Sequence, residues 1–382
     1  MTGRILEHTA HELRHDRTSI KWQAYPPDVL PLWVAEMDAS PCPSVVVAVT
    51  EAMRRGDTGY AGTGKYAAAL ASFATAEWGW DLDPGQTTQV TDVLTGIARL
   101  IELFTDPGGP VVVSSPVYNA FFLVIDSVGR RPVDAPLTDA GRLDLDALAE
   151  AFRQMTAGGG RAAYLLCNPH NPTGTVHTAD ELRALAALAH EHGVRVLSDE
   201  IHAPLVYATS TFTPYLTVPG GQDGVTVTAA SKAWNLAGLK AGLVIPGREA
   251  RPAVKALHPF VAMGASHLGT VAQSAAWEQG REWVRQLRCE LDDNRRLLAA
   301  LVAEQLPGVR LTTPEATYLA WLDCRGLGLG DDPAAVFRDR GRLALSIGPQ
   351  FGARGAGCVR LNFATSPGIL REAVHRMAGC LG

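Results

Sequence analysis

The chain has 382 residues, of which 47% are apolar and 19% charged, with a formal charge of −5. That size and composition support a large core, in two packed units or in one large α/β unit with an appendage, and exclude general disorder. The acid excess leaves nucleic-acid and anionic-membrane binding without electrostatic support, and the opening residues lack a basic-then-apolar signal segment.

Six dispersed cysteines (Cys42, Cys167, Cys289, Cys324, Cys358 and Cys380) form no CxxC pair, and no apolar run is long enough to span a bilayer. Reduced thiols in a cytoplasmic protein are therefore expected.

Residues 1–43 are rich in proline and aromatic side chains and show no sustained helical periodicity. They carry Lys21-Trp22, the apolar stretch 30–35 and Glu36-Met-Asp38. Ser44, after Pro43, is placed to cap a helix through Arg55. A Gly-rich turn at 56–64 leads into a helix over 65–78. From there to about residue 255, short apolar strands and helical patterns alternate. Strands are expected at 111–114, 162–167, 194–198, 225–228 and 242–245, and helices at 97–104, 143–154 and 178–192. Strands separated by helices imply βαβ crossovers and a mainly parallel sheet. Runs such as Val111-Val-Val and Tyr164-Leu-Leu are apolar throughout, as strands covered on both faces are. After residue 267 a long amphipathic pattern runs to about 304. Strands at 317–322 and 358–363 follow, with a helix between them and another at the end. The prediction is an α/β protein with a large, mainly parallel-sheet domain over 44–265. A smaller α+β domain over 266–382 is expected to be joined by the segment 1–43.

In an open α/β sheet, ligands collect beyond the carboxyl ends of the strands. The strand at 162–167 runs into Asn168-Pro-His-Asn-Pro-Thr-Gly174, that at 194–198 into Asp199-Glu-Ile-His202, and that at 225–228 into Ala229-Ala-Ser-Lys232. Each has a plain reading as a turn, a helix cap or a surface lysine. Together they can bring an amide, a carboxylate and an amine to one ligand. Burial at a strand tip disfavours the ammonium form of lysine and frees its amine as a nucleophile. Amines of this kind hold carbonyl compounds, pyridoxal 5′-phosphate (PLP) among them, and a carboxylate beside the PLP ring nitrogen keeps that nitrogen protonated.

The motifs extend this match. Lys21-Trp22, Trp33-Val-Ala-Glu-Met-Asp38, Pro116-Val-Tyr118, Cys167-Asn-Pro-His-Asn-Pro-Thr-Gly174, Ser198-Asp-Glu-Ile-His202, Ser231-Lys-Ala-Trp-Asn-Leu-Ala-Gly-Leu239, Pro314-Glu-Ala-Thr-Tyr-Leu-Ala-Trp-Leu-Asp323 and Val359-Arg-Leu-Asn-Phe363 occur in that order. The chain thereby resembles the fold-type-I PLP-dependent enzymes of the class I/II aminotransferase superfamily. Within them it is similar to the cystathionine β-lyase, or C–S lyase, branch named MalY/PatB.

The resemblance implies roles for residues. Lys232 holds the PLP aldehyde and Asp199 pairs with the ring nitrogen. Asn171 bonds the phenolic oxygen, with His202 close by, and Tyr118 stacks on the ring. Lys232, Asp199 and Tyr118 are thus the implied catalytic set. Thr95-Gly96-Ile97 is expected to open a helix whose N–H groups hold the phosphate, with Ser231 and Lys240 as further contacts. Tyr60 is implied to reach the phosphate of a neighbouring subunit in a homodimer. Arg360 clamps the substrate carboxylate through a planar fork, with Ala35 and Asn171 beside the substrate. Two departures, Glu36 for the family's usual Asp and Ala39 for Phe, lie near the expected substrate entrance. Ala229 stands where many relatives of the wider group have a phosphate-binding serine, for which Ser231 is expected to compensate.

Other motifs are weaker. His11-Glu-Leu-Arg-His15 has the HExxH form of zinc proteases but lies in a ragged, charge-rich stretch, so no metal is expected. Gly59-Tyr-Ala-Gly-Thr-Gly-Lys-Tyr66 nearly fits a P-loop, but tyrosine replaces the residue that must ligate magnesium. The implied activity is β-elimination from cystathionine or another cysteine S-conjugate, giving a thiol, pyruvate and ammonia. The alternatives are transamination at the same site and, more distantly, a non-catalytic regulatory protein of this fold.

Overall fold

The computed structural model describes residues 3–62 and 64–381. β1 (Leu30–Pro31) lies in the opening segment. β2 (Thr88–Val90), β3 (Pro110–Val113), β4 (Arg131–Asp134), β5 (Ala163–Cys167), β6 (Arg195–Asp199), β7 (Val225–Thr228) and β8 (Gly242–Pro246) form the large sheet. Its spatial order is β2-β8-β7-β6-β5-β3-β4. The five strands from β7 to β4 are parallel, and β8 runs antiparallel to both its neighbours. Every residue of β5, β7 and β8 is buried, as expected for strands covered on both faces. Val93–Phe104 and Asn119–Ser127 cover one face and Leu145–Thr156 and Ala179–Glu191 the other.

The remaining strands, β9 (Arg310–Leu311), β10 (Leu319–Asp323), β11 (Leu343–Ala344), β12 (Ser346–Ile347) and β13 (Cys358–Asn362), belong to the C-terminal unit. There β12-β13-β10-β9 form an antiparallel sheet. The predicted amphipathic run is two helices, His267–Gln279 and Arg281–Gln305, broken at Gly280. The opening segment packs with this unit. β1 pairs in parallel with β11, and the Ile5 and Leu6 N–H groups donate to the Glu290 carboxylate at 2.8 and 2.9 Å.

The local expectations need three corrections. Residues Ala10–Asp16 are helical, opened by a capping box between Thr9 and Glu12 that is worth a turn of helix despite one buried residue, Leu13. The helix expected to be capped by Ser44 is Pro43–Arg54, with Pro43 inside its first turn, where a missing N–H loses nothing. The helix expected at 97–104 starts at Val93, because the Asp92 side chain accepts the Thr95 N–H and caps it.

One buried ion pair ties the opening segment together. Lys21 Nζ lies 2.8 Å from Asp38 Oδ1, both side chains being at most 1% exposed. The same carboxylate oxygen accepts Trp22 Nε1 at 2.8 Å, and Lys21 also donates to the Glu36 carbonyl at 3.0 Å. Removing one partner of such a pair strands the other in a medium that solvates it poorly. Lys21→Met should therefore destabilise the protein by about 3–5 kcal/mol, measured by denaturant unfolding. Lys21→Met/Asp38→Asn should recover part of that loss.

Candidate active site

β5, β6 and β7 lie side by side in register, Cys167 opposite Asp199 and Asp199 opposite Val227. Their carboxyl ends therefore open on the same edge, and each following loop delivers one polar group there. After β5 the chain turns through Asn168–Gly174. Gly174 has φ +73°, and a Cβ there would come within 2.3 Å of Pro314 Cβ and 3.0 Å of the Ala316 carbonyl. Only glycine allows that approach, and its carbonyl accepts the Glu315 and Ala316 N–H groups, docking the turn on the C-terminal unit.

After β6, Asp199 and Glu200 diverge. Glu200 accepts from Ser198 Oγ at 3.0 Å and the Tyr215 N–H at 2.8 Å, and burial pushes its pKa up to about 8. It fastens the strand end. Asp199 lines the cleft, and among the described residues its carboxylate accepts only the Ile201 N–H, at 3.1 Å; burial pushes it up to about 7.

After β7 the Lys232 loop is held by Gln273, which is fully buried. Its Oε1 accepts Tyr66 Oη at 2.6 Å and the Ala230 N–H at 2.8 Å, and its Nε2 donates to the carbonyls of Leu239 and Ala241 at 2.9 and 3.1 Å. All four bonds of one amide thus pin both ends of the loop. Lys232 Nζ donates to the Ala35 carbonyl at 2.9 Å. Burial, with the nearby Arg360 charge, lowers its pKa to about 8, against the pull of Asp199.

These loops bound a cleft that is open to solvent on one side. Ala35, Tyr118, Asn171, Asp199, His202, Ser231 and Lys232 line it, and so does Lys240, which is paired with Asp92. Tyr118 precedes the helix Asn119–Ser127, its ring edge-on to Phe121 at 5.7 Å. His202 is buried, its Nδ1 has no partner among the described residues, and burial lowers its pKa to about 3, leaving a neutral imidazole.

Arg360, from β13, meets the cleft through Asn171. Its Nη1 donates to Asn171 Oδ1, and its Nη2 to the Trp33 carbonyl and Ser346 Oγ, each at 3.0 Å. Its guanidinium lies 4.9 Å from the centre of the Phe351 ring. The side chain is buried, and among the described residues no carboxylate pairs with it. Every acceptor is neutral, so the cation is fixed in direction but not in charge.

Eight of the expected site residues therefore share one cleft, and Arg360 joins them through Asn171. Thr95, Gly96 and Ile97 do not hold their expected place. The Thr95 and Gly96 N–H groups are taken by the side chain and carbonyl of Asp92, and Ile97 is in the core. Asp92, Val93 and Leu94 line the cleft instead. Ala39 is also displaced from the expected entrance: it is 3% exposed and packs in the core, as does Ala229. Glu36 is half-buried and accepts from Ser19 Oγ. Tyr60 is 93% exposed, away from the cleft of its own chain. In the near-P-loop stretch, Thr63 lies outside the described residues. Glu12 of the HExxH stretch is taken up by its capping box.

Gln273, Tyr318 and Ser346 were not assigned from sequence. Tyr318 donates to the same Ala35 carbonyl at 3.1 Å. A capping aspartate before the apolar run Val93-Leu94 was a legible signal for Asp92; a buried glutamine inside a helix carries none.

Lys232 is one of five lysines in the chain, and Lys65 and Lys255 are exposed. Only the neutral amine reacts with acetic anhydride. In the apoprotein, labelling of Lys232 should rise with pH through a midpoint near 8. Peptide mass spectrometry resolves Lys232 from Lys65 and Lys255, and a Lys232 midpoint at the free-lysine value of about 10.4 would contradict the geometry.

The sequence and the fold both have counterparts among known proteins. Over 98% of its length the chain is 51% identical to a "Putative cystathionine beta-lyase" of Mycobacterium tuberculosis, covering 97% of that protein. It is 37% identical to the cystathionine beta-lyase of Corynebacterium glutamicum, covering 97% of this chain and 98% of that one. A crystal structure from Corynebacterium diphtheriae, described as a "putative plp-dependent beta-cystathionase", superposes with a TM-score of 0.91 at 35% identity, covering 99% of each chain. The model of the family "Aminotransferase class I and II" matches residues 27–377, which span the sheet, the cleft and the C-terminal unit, and the chain belongs to that PLP-dependent family.

Proposed function

We propose that the protein is a PLP-dependent carbon–sulfur β-lyase that cleaves L-cystathionine or a related cysteine S-conjugate to a thiol, pyruvate and ammonia. The observation that carries this reading is a buried guanidinium without an anion, Arg360, bonded through Asn171 to the cleft that holds the Lys232 amine. The relatives named cystathionine beta-lyase support the same reaction.

The residues fit PLP. Asp199 is a buried carboxyl with a single N–H donor, suited to a protonated ring nitrogen. The Asn171 amide and the neutral His202, with its orphaned Nδ1, suit the phenolic oxygen, and Tyr118 offers a ring face. The phosphate falls to Ser231, Lys240 and the helix beginning at Val93, in place of the expected Thr95-Gly96-Ile97. Held among these residues, PLP would supply an electron sink for charge developing at the substrate Cα.

The chain's own groups do the rest. Arg360 fixes the substrate carboxylate, and its neutral ligands leave its charge free for that task. The Lys232 amine, with its lowered pKa, is matched to removing a Cα proton near neutral pH. The Ala35 carbonyl aims that nitrogen, and Tyr318 steadies the same carbonyl. A sulfur leaving group has a pKa near 8.5 and needs little protonation to depart.

The protein acts as a homodimer in the cytoplasm. Tyr60 at 93% exposure, with exposed Val47, Met53, Phe260 and Met263, supports a partner-facing surface. The free cysteines fit a reducing compartment.

The holoenzyme should release thiol and pyruvate from L-cystathionine or another cysteine S-conjugate without added keto acid. Strict dependence on a keto acid would mean transamination instead. Lys232→Ala should lose activity by about a thousandfold or more and lose the visible absorbance of lysine-bound PLP.

A further inference from the structure

The end of the cleft next to Lys240 carries an acid that PLP chemistry does not call for. Asp92 caps the helix Val93–Phe104: its Oδ1 accepts the Thr95 N–H at 2.8 Å and its carbonyl the Gly96 N–H at 3.0 Å. Its other oxygen, Oδ2, accepts from Lys240 Nζ at 2.9 Å. Burial alone would raise this carboxyl, but Lys240 and the Thr95 N–H outweigh it and hold it below the ordinary range. Asp92 is therefore ionised at neutral pH. Val93 and Leu94 line the same end, and as the first two helical residues their N–H groups have no intrahelical acceptor.

A phosphate ester carries a charge of about −1.5 to −2 at pH 7. The ammonium best placed to meet it, Lys240, is already neutralised by Asp92. What is left at this end is the helix dipole, equivalent to about half a positive charge, and the Ser231 hydroxyl. The Asp92 and Lys240 side chains are 26% and 55% exposed, so solvent weakens their attraction without abolishing it. Asp92 and an incoming phosphate then compete for one cation, and they also repel each other.

Resting on the PLP reading above, we propose that Asp92 is a positioning residue that works against cofactor retention. It ties up the Lys240 ammonium and adds a negative charge where the phosphate must sit. The apoprotein consequently binds PLP more weakly than the same cleft would with a neutral cap, and its loading follows the supply of cofactor.

Asp92→Asn keeps the cap, which Asn and Asp provide equally well, and removes only the charge. PLP and pyridoxal, which lacks the phosphate, are titrated separately into full-length apoprotein, with binding read by tryptophan fluorescence. Asp92→Asn should tighten PLP binding about three- to tenfold and leave pyridoxal within about twofold. Lys240→Gln should weaken PLP binding and spare pyridoxal. Unchanged or weaker PLP binding by Asp92→Asn, or an equal gain for pyridoxal, would overturn the role given to Asp92. A wild-type protein that binds neither ligand would instead overturn the PLP reading.

Discussion

Burying the Arg360 guanidinium among neutral acceptors costs several kcal/mol of hydration that no carboxylate of the fold returns. The fold tolerates this because three fixed acceptors and the Phe351 ring hold the group in one orientation. Asp199 is in the complementary position, a carboxyl with one donor and a pKa pushed up to about 7. Lys232 feels both, Arg360 lowering its pKa and Asp199 raising it. An α-carboxylate and a protonated ring nitrogen are the charges missing from this set, and a PLP–amino-acid pair brings both.

The opening segment is what turns these charges into a site. The carbonyls of Trp33, Val34, Ala35 and Glu36 accept, in turn, from Arg360, Asn362, Lys232 and Asn362 again. One short strip of backbone therefore links the lysine of the large sheet to the arginine of the small one. Its own position rests on the buried Lys21–Asp38 pair and on β1 against β11. Substitutions far from the cleft in this segment should reach the chemistry through those carbonyls.

Much of this was legible in the sequence where burial leaves a simple trace. β5, β6 and β7 are short, apolar and followed by distinctive turns, so the sequence alone brings their ends together. β2 and β4 escaped notice because one is three residues long and the other is largely exposed, with no hydrophobic pattern to read. Thr95-Gly96 draws the expected helix start too far along the chain, whereas the cap that sets it is Asp92. Arg360 was identified through its motif, but its lack of an anionic partner is a fact of three dimensions. So is the fourfold bonding of Gln273, whose partners come from three separate stretches of chain.

The central claim is that Arg360 is kept for its ligand and at the expense of the fold. Arg360→Met separates the two contributions when apoprotein stability and holoenzyme kcat/KM are measured on the same variant. The account predicts an unfolding midpoint equal to or above that of the wild type, with kcat/KM for the cysteine S-conjugate lowered about a hundredfold or more. A clear fall in the midpoint with kcat/KM preserved would show that Arg360 serves the fold, and would contradict the account.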